Sequence, residues 1–448
     1  MNYPRVLIVT MGRINDADTD NNSLLLRNIF AKWPRQNLAQ IYSSGDNSDY
    51  GFFDRYYQLS PRDRLFGRLF YGLKTKLFKM NAMYSNTPFI ETNVRSKTKS
   101  TKEILTNIFV DTGLYELIFR PRLSREMISW VQEFQPDIIF AQGYCLTFAW
   151  LPSRLSDYFK LPIVYYPTDD WPNDAYRVKG GGIPIVSKLV SRSVARAARH
   201  LVEVSSVLLA FNRYMREEYL KRYNKEFVVL MHGDDLSRYQ TAQPMRLAVN
   251  DEYWIVCTGL FGNSRFPLLY DLDQACKILN AKGLRVRATV FPVNEVSEIS
   301  SQVNGFIHVD FEPCPSHSAL VSVLKGADIL FLPERFDESA QGISLSVSSK
   351  AHLFMFSGKP IVVYSDSVTG IARYAKEEGW AVVLDYRDPV MLSSIFERLI
   401  KNSDARDNLL KAANRTALAN HDLKTIQSSF TALLNSAIPT KDGNQVTA

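Results

Sequence analysis

The stretch Val347-Ser348-Ser349-Lys350-Ala351-His352-Leu353-Phe354-Met355-Phe356-Ser357-Gly358-Lys359-Pro360-Ile361-Val362 decides the fold. Ser348 or Ser349 suits a helix N-cap, because a short hydroxyl side chain accepts from the open N–H groups of the first turn. About two helical turns follow, and Gly358 is placed to take the left-handed backbone that stops a helix. Pro360 then opens an apolar, β-branched run that reads as a strand. Helix, glycine stop and buried strand in this order make one repeat of a parallel βα sheet. The open N–H groups at the helix start, with Lys350 in the first turn, form an anion site suited to a diphosphate. An ordinary capped helix before a strand has the same pattern.

The rhythm continues outward. Upstream, strands are expected at Trp254–Thr258, Val286–Phe291, Phe306–Phe311 and Ile329–Pro333; downstream, at Pro360–Tyr364 and Ala381–Asp385. Helical spacing at Leu268–Asn280, Ser318–Lys325, Ser348–Ser357 and Met391–Lys401 separates them. The first half repeats the alternation, with strands expected at Arg5–Thr10, Leu38–Tyr42, Asp137–Ala141, Pro162–Tyr166, His200–Val204 and Phe227–Met231. Its helices are expected at Leu24–Trp33, Leu146–Phe159 and Val207–Tyr223. Tyr239–Glu252 is polar, contains Pro244, lacks periodicity and reads as a linker. The expectation is an α/β chain of two doubly wound domains facing a cleft. They span residues 1–242 and 243–420, and 421–448 adds a helix returning to the first domain and a loose tail. Ligands of open α/β sheets bind at the carboxyl ends of the strands, so the chemistry is expected on those loops.

The chain has 448 residues, and about 150 per domain allows two or three domains. Apolar residues at 46% and charged residues at 22% are ordinary globular values and exclude a disordered or low-complexity protein. The four cysteines (Cys145, Cys257, Cys276, Cys314) form no close pair, and the six histidines form no ligand spacing. Neither a disulfide framework nor a protein-held metal is expected. No apolar run approaches the ~18 residues of a membrane span. The N-terminus reads as a strand rather than a signal peptide, and a cytoplasmic location is expected.

The formal charge of +7 is uneven. Residues 1–240 carry 33 Lys and Arg against 24 Asp and Glu, whereas 241–448 carry 20 against 22. The surplus concentrates in Arg55–Lys102, which holds eleven cations against Asp63 and Glu91. Within it, Pro61–Met80 reads as one amphipathic helix. Leu65, Phe66, Leu69, Phe70, Leu73, Leu77 and Phe78 fall on one face, and Arg62, Arg64, Arg68, Lys74, Lys76 and Lys79 on the other. Such an insertion suits an anionic membrane surface, where each cation contributes about 1 kcal/mol. A solvated charged face is the plainer alternative. No nucleic-acid motif accompanies the charge, so nucleic acid is not an expected partner.

Further pieces carry a resemblance. The opening stretch is similar to the S-K-x-x-E-Y-x-x-x-G-K-P-V signature in the donor-binding domain of GT-B glycosyltransferases of the group 1 (family 4) type. Val256-Cys257-Thr258-Gly259, followed by a loop with Arg265, resembles that family's strand–Gly–Arg/Lys phosphate loop. Lys325-Gly326-Ala327-Asp328-Ile329-Leu330-Phe331-Leu332-Pro333 resembles its Ala-Asp strand, and Met231-His232-Gly233-Asp234-Asp235 stands where its domain-closing turn falls. The outline covers residues 5–435, with the specific motifs between 254 and 365.

The resemblance implies a metal-independent, retaining transferase with no cofactor beyond its nucleotide-sugar substrate. It would pass a sugar to a saccharide or lipid-linked glycan, as in cell-surface polysaccharide assembly; the basic insertion, not the resemblance, is what suits a place at the inner face of a membrane. It implies a donor site of Gly259, Arg265, Ser348, Ser349 and Lys350, whose cations and N–H groups neutralise the leaving diphosphate. There are departures. The family's two glutamates fall here on Leu345 and Leu353, so the ribose contact is unassigned. Glu334 and Glu338 are the nearby carboxylates able to accept sugar hydroxyls. The glycine pair expected after the first strand is replaced by a polar loop from Asn15 to Asn22, read as gripping acceptor hydroxyls through Asn21 and Asn22. In Thr168-Asp169-Asp170-Trp171-Pro172, Asp169 or Asp170 could orient or deprotonate an acceptor hydroxyl, with Trp171 stacking on a sugar. The same residues suit a turn and helix cap. A GT-B epimerase or a catalytically silent glycan-binding scaffold are the rival readings.

Overall fold

A computed structural model describes residues 3–14, 21–44, 51–66, 114–174, 184–247, 251–262, 265–293, 303 and 305–439. The chain forms two compact units, Met1–Leu230 with Thr425–Ala448, and Met231–Lys424.

The first unit runs β1 (Val6–Val9), α1 (Asn21–Phe30), β2 (Leu38–Tyr42), β3 (Arg55–Gln58), α2 (Leu114–Ile118), α3 (Arg125–Phe134) and β4 (Ile138–Ala141). It continues α4 (Leu146–Phe159), β5 (Ile163–Tyr165), α5 (Trp171–Asp174), α6 (Pro184–Val204), β6 (Val207–Ala210), α7 (Arg213–Tyr223) and β7 (Val228–Val229). The sheet order is β3-β2-β1-β4-β5-β6-β7, and every neighbouring pair is parallel. β1 is central, with Val6 beside Leu38 on one side and Ile138 on the other. All four of its residues are buried, as a strand covered on both faces requires.

The second unit runs α8 (Leu236–Thr241), β8 (Tyr253–Gly259), α9 (Phe266–Ala281), β9 (Val286–Pro292), β10 (Val309–Phe311), α10 (His317–Gly326) and β11 (Ile329–Pro333). Then come α11 (Lys350–Phe356), β12 (Ile361–Tyr364), α12 (Gly370–Glu378), β13 (Val382–Leu384), α13 (Pro389–Lys401) and α14 (Ser403–His421). Its sheet, β10-β9-β8-β11-β12-β13, is also parallel throughout. A last helix, α15 (Leu423–Ala437), packs on the first unit: the Phe430 ring lies 5.2 Å from Phe30 and 5.8 Å from Trp33. In each sheet the strand order reverses once, between β1 and β4 and between β8 and β11. The carboxyl ends of those strands are where such sheets bind ligands.

Several expectations are corrected. His200–Val204 is not a strand but the end of α6, and Val207 opens β6 rather than a helix. The helical spacing of buried Val190, Val194, Ala197, Ala198 and Leu201 outweighs the local β-branched content. The following helix starts at Arg213, capped by the Asn212 side chain. The segment from Tyr239 is not a free linker. Lys325 Nζ donates to the carbonyls of Tyr239 (2.5 Å) and Ala242 (2.6 Å), and Met245 N donates to Ser322 O (2.8 Å). The division between units therefore falls at Met231 and at Lys424, not at 242 and 420.

The basic insertion begins inside the sheet, since Arg55 belongs to β3. Pro61–Asp63 forms a 3-10 turn with a Ser60 capping box, and Arg64 is extended, so no continuous α-helix starts at Pro61. Asp63 is the cause. Its buried carboxylate accepts from Ser60 N (2.7 Å), Tyr57 OH (3.0 Å) and Ser124 Oγ (2.6 Å), which fixes the turn. Arg64 is buried and donates to Thr147 Oγ1 at 3.0 Å instead of lying on a cationic face. The rest of the expected amphipathic helix, residues 67–80, lies outside the described residues. Among the described residues, no helix is long and apolar enough to cross a membrane.

Candidate functional site

In the second unit, β8 ends at Gly259 and its neighbour β11 at Pro333, so both chains leave the sheet at its switch point. Glu334 is the first residue beyond β11 and is only 4% exposed. Burying a lone carboxylate there would be very costly, and two cations offset the cost. Arg265, at the start of α9, is ion-paired with Glu334 and donates to Leu260 O at 2.7 Å. Lys350, the first residue of α11, brings Nζ to 3.6 Å from Glu334 Oε1. The Ser348 hydroxyl also helps to hold the Glu334 carboxyl down.

The electrostatics are mutual. Burial pushes the Glu334 carboxyl up, but Arg265 and Lys350 outweigh it and hold it below its ordinary range. Burial lowers the Lys350 ammonium, and Glu334 opposes that shift. Gly259 completes the group with a φ of +142°: a β-carbon built there would lie 2.7 Å from Lys350 Nζ. The structure thus assembles Gly259, Arg265, Glu334, Ser348 and Lys350 into one charged cluster at the switch point of the sheet.

Other expected donor residues behave differently. Ser349 precedes α11 with helical backbone angles, and its side chain makes no capping bond, because Ser348 O already accepts from Ala351 N. Glu338 opens the 3-10 turn Glu338–Ile343, is exposed, and stands outside the ion cluster. Glu334 is bound to two cations rather than open to a ribose. Leu353 falls within α11 and offers no acceptor.

Near the switch point of the first unit, several uncharged polar side chains hydrogen-bond one another. The Gln40 amide donates to Thr10 Oγ1 (2.7 Å) and Gly12 O (2.8 Å) and accepts from Ile14 N (3.1 Å). Asn22 and Gln142 exchange two amide hydrogen bonds, of 3.0 and 2.7 Å. Asn21 begins α1, and its side chain lies outside the described atoms. Tyr144 OH hydrogen-bonds Thr168 Oγ1. No sequence signal marks Gln40, Gln142 or Tyr144, because the strands bring together residues as far as 120 positions apart.

The Asp-Asp-Trp element is corrected. Asp170 is buried and forms a two-pronged ion pair with Arg222 (2.6 and 3.0 Å), and it also accepts from Tyr219 OH and Asn173 Nδ2. A carboxylate engaged on four sides holds structure and is not a poised base. Trp171 is 3% exposed, donates to Tyr165 OH at 2.7 Å and packs against Gly143. Its ring has no face to offer a sugar. Asp169 is the exposed member of the trio.

Two parallel doubly wound units, each with polar side chains at its switch point, define a GT-B-type chain of two Rossmann-like domains. Solved structures agree on that fold. HepE from Anabaena, in complex with UDP and glucose, is 14% identical with a TM-score of 0.57, over 97% of this chain and 100% of that one. An α,α-trehalose 6-phosphate synthase from Burkholderia multivorans is 12% identical with a TM-score of 0.61, over all of both chains. WaaG, a glycosyltransferase involved in lipopolysaccharide biosynthesis, is 12% identical with a TM-score of 0.54, over 96% of this chain and 99% of that one. No protein-family profile matches the chain, and no curated protein matches it in sequence.

Proposed function

We propose that this chain is a glycosyltransferase that takes a sugar from a nucleotide-sugar donor and passes it to a hydroxyl of a saccharide or lipid-linked glycan. The observation that carries the reading is the Arg265–Glu334–Lys350 cluster over Gly259 at the switch point of the second sheet. Transfer breaks the bond between the anomeric carbon and a phosphate oxygen, and negative charge develops on the leaving diphosphate. Two preorganised cations in a water-poor crevice stabilise that charge without needing to reorganise. Arg265 and Lys350 are those cations in this reading, with Ser348 beside them. The acceptor hydroxyl loses its proton as it attacks, and Asp169 is the exposed carboxylate at the carboxyl end of β5 able to orient it.

The finer reading is a retaining, metal-independent enzyme of cell-surface polysaccharide assembly, working in the cytoplasm. HepE binds UDP and glucose, and WaaG serves lipopolysaccharide biosynthesis, which supports a uridine nucleotide donor and that acceptor class. The test is thermal unfolding against a panel of nucleotide sugars. A ligand at 100 times its Kd adds about 2.7 kcal/mol to stability. No shift with any donor rejects the transferase. A shift without sugar transfer to any acceptor favours the binding scaffold, and interconversion of the donor sugar alone favours the epimerase.

A further inference from the structure

Four of the six histidines meet in the second unit, though none is close to another in sequence. The His232 ring stacks on His352 with centroids 5.1 Å apart and planes within 12°, and His352 stacks on His421 at 5.8 Å. His352 is buried, and its Nδ1 has no hydrogen-bond partner. His421 Nδ1 meets His232 O at 2.5 Å, and its Nε2 meets Tyr374 OH at 3.0 Å. His317 Nε2 lies 3.7 Å from Asp234 Oδ2. The carboxylate of Asp234 is already engaged by Arg238 and by Tyr239 OH, both at 2.9 Å. The two segments by which the chain enters and leaves this unit run side by side: Asp234 N donates to His421 O, and Leu423 N to Asp234 O.

A buried imidazole with an orphan nitrogen is a poor choice for mere packing, since a leaving-alone polar atom costs about 1–3 kcal/mol that an apolar side chain would not. Its place gives it a use. His352 sits in α11 two residues after Lys350, so whatever seats His352 also seats the ammonium against Gly259 and Glu334.

Resting on the donor reading above, we infer that His352, clamped between His232 and His421, is the positioning residue for Lys350, and that the clamp holds only while the three rings are neutral. Three buried rings in a stack cannot share a charge cheaply, because like charges at this separation repel in a low dielectric. The groups facing His352 are His232 from the entering segment, His421 from α14, His317 from α10 and Asp234, with Arg238 and Tyr239 of α8 and Tyr374 of α12 around them. Burial, reinforced by His232 and His421, pushes His352 well below its ordinary value. Burial likewise lowers His421 to about 4. The sign follows. The unfolded histidine binds its proton near pH 6.5, the folded one only at lower pH, so the seated arrangement is fully favoured above about pH 6.5 and loses ground as pH falls toward 4.

The experiment measures UDP-glucose affinity between pH 7.5 and 5.5, since its diphosphate diester does not titrate there. Hydrogen exchange of the α11 amides, corrected for intrinsic rate, is followed over the same range. Wild type is expected to lose affinity about tenfold, with α11 exchange rising about tenfold. The His352→Phe/His421→Phe double variant keeps both rings but neither can take a proton, and it is expected to vary less than about twofold in both; His352→Phe alone, expected to vary less than wild type, serves if the double variant does not fold. Equal pH profiles in wild type and variant, or α11 exchange independent of pH, overturn the positioning role. Failure of UDP-glucose to bind at any pH rejects only that donor assignment, and the exchange profile still decides the clamp.

Discussion

Gly259 and Lys350 occupy the same small volume: the ammonium of Lys350 lies where a side chain on residue 259 would begin, 2.7 Å from an ideal β-carbon. The glycine also holds a φ of +142°, which side chains rarely adopt. Gly259→Ala therefore has two effects. Backbone strain should cost about 1–3 kcal/mol of stability. Displacing Lys350 should weaken nucleotide binding about tenfold, or 1.4 kcal/mol, beyond that. Titration calorimetry at a temperature where the variant is folded separates the two, and unchanged affinity removes Lys350 from the site.

Arg265 and Glu334 form a buried ion pair, so removing one partner strands the other. Glu334→Gln and Arg265→Met are each expected to destabilise the second unit by about 3–5 kcal/mol, and the double variant by much less than the sum. Chemical denaturation of the four proteins gives the coupling energy, expected near the upper end of about 0.5–3 kcal/mol. Additive losses would mean the pair is not coupled in solution.

Much of the fold was legible because parallel strands buried on both faces have to be continuous runs such as Val6–Val9 and Ile329–Pro333. The α6–β6 boundary was not. His200–Val204 has strand composition, and only the helical spacing of Val190, Val194 and Ala197 over preceding turns assigns it to α6. The members of the charged cluster were legible where chemistry is local: a glycine ending a strand, an arginine in the next loop, a lysine at a helix start. What Glu334 faces could not be read, because Arg265 lies 69 positions away. The histidine stack was hidden for the same reason, His232 and His421 being 189 positions apart. Trp171 misled because an aromatic beside two acids resembles a sugar platform, and only tertiary packing buries it.

Asp169 and Asp170 make opposite predictions despite being adjacent. Asp170→Asn removes the charge paired with Arg222 and should cost the first unit about 2–3 kcal/mol. Sugar transfer per folded molecule should change little. Asp169→Asn, exposed, should leave stability within about 0.5 kcal/mol but lower kcat if it serves the acceptor. Paired denaturation curves and initial rates decide, and the reverse pattern would return Asp170 to the chemistry.

The last helix tests whether the first unit is complete without it. Phe430 is fully buried among Phe30, Trp33 and Phe140, and Gln427 Nε2 donates to Asn28 O at 2.7 Å, so α15 supplies core that the first 230 residues lack. Phe430→Ala leaves a cavity in an aromatic cluster and is expected to cost about 3–5 kcal/mol. Because Phe430 belongs to the core of β1 and β4, the loss should register in the first unit. Hydrogen exchange resolved by peptide is the measurement: amides of β1 and β4 should lose protection while those of β8 and β11 keep theirs. Equal loss in both sheets would show that the two units unfold as one.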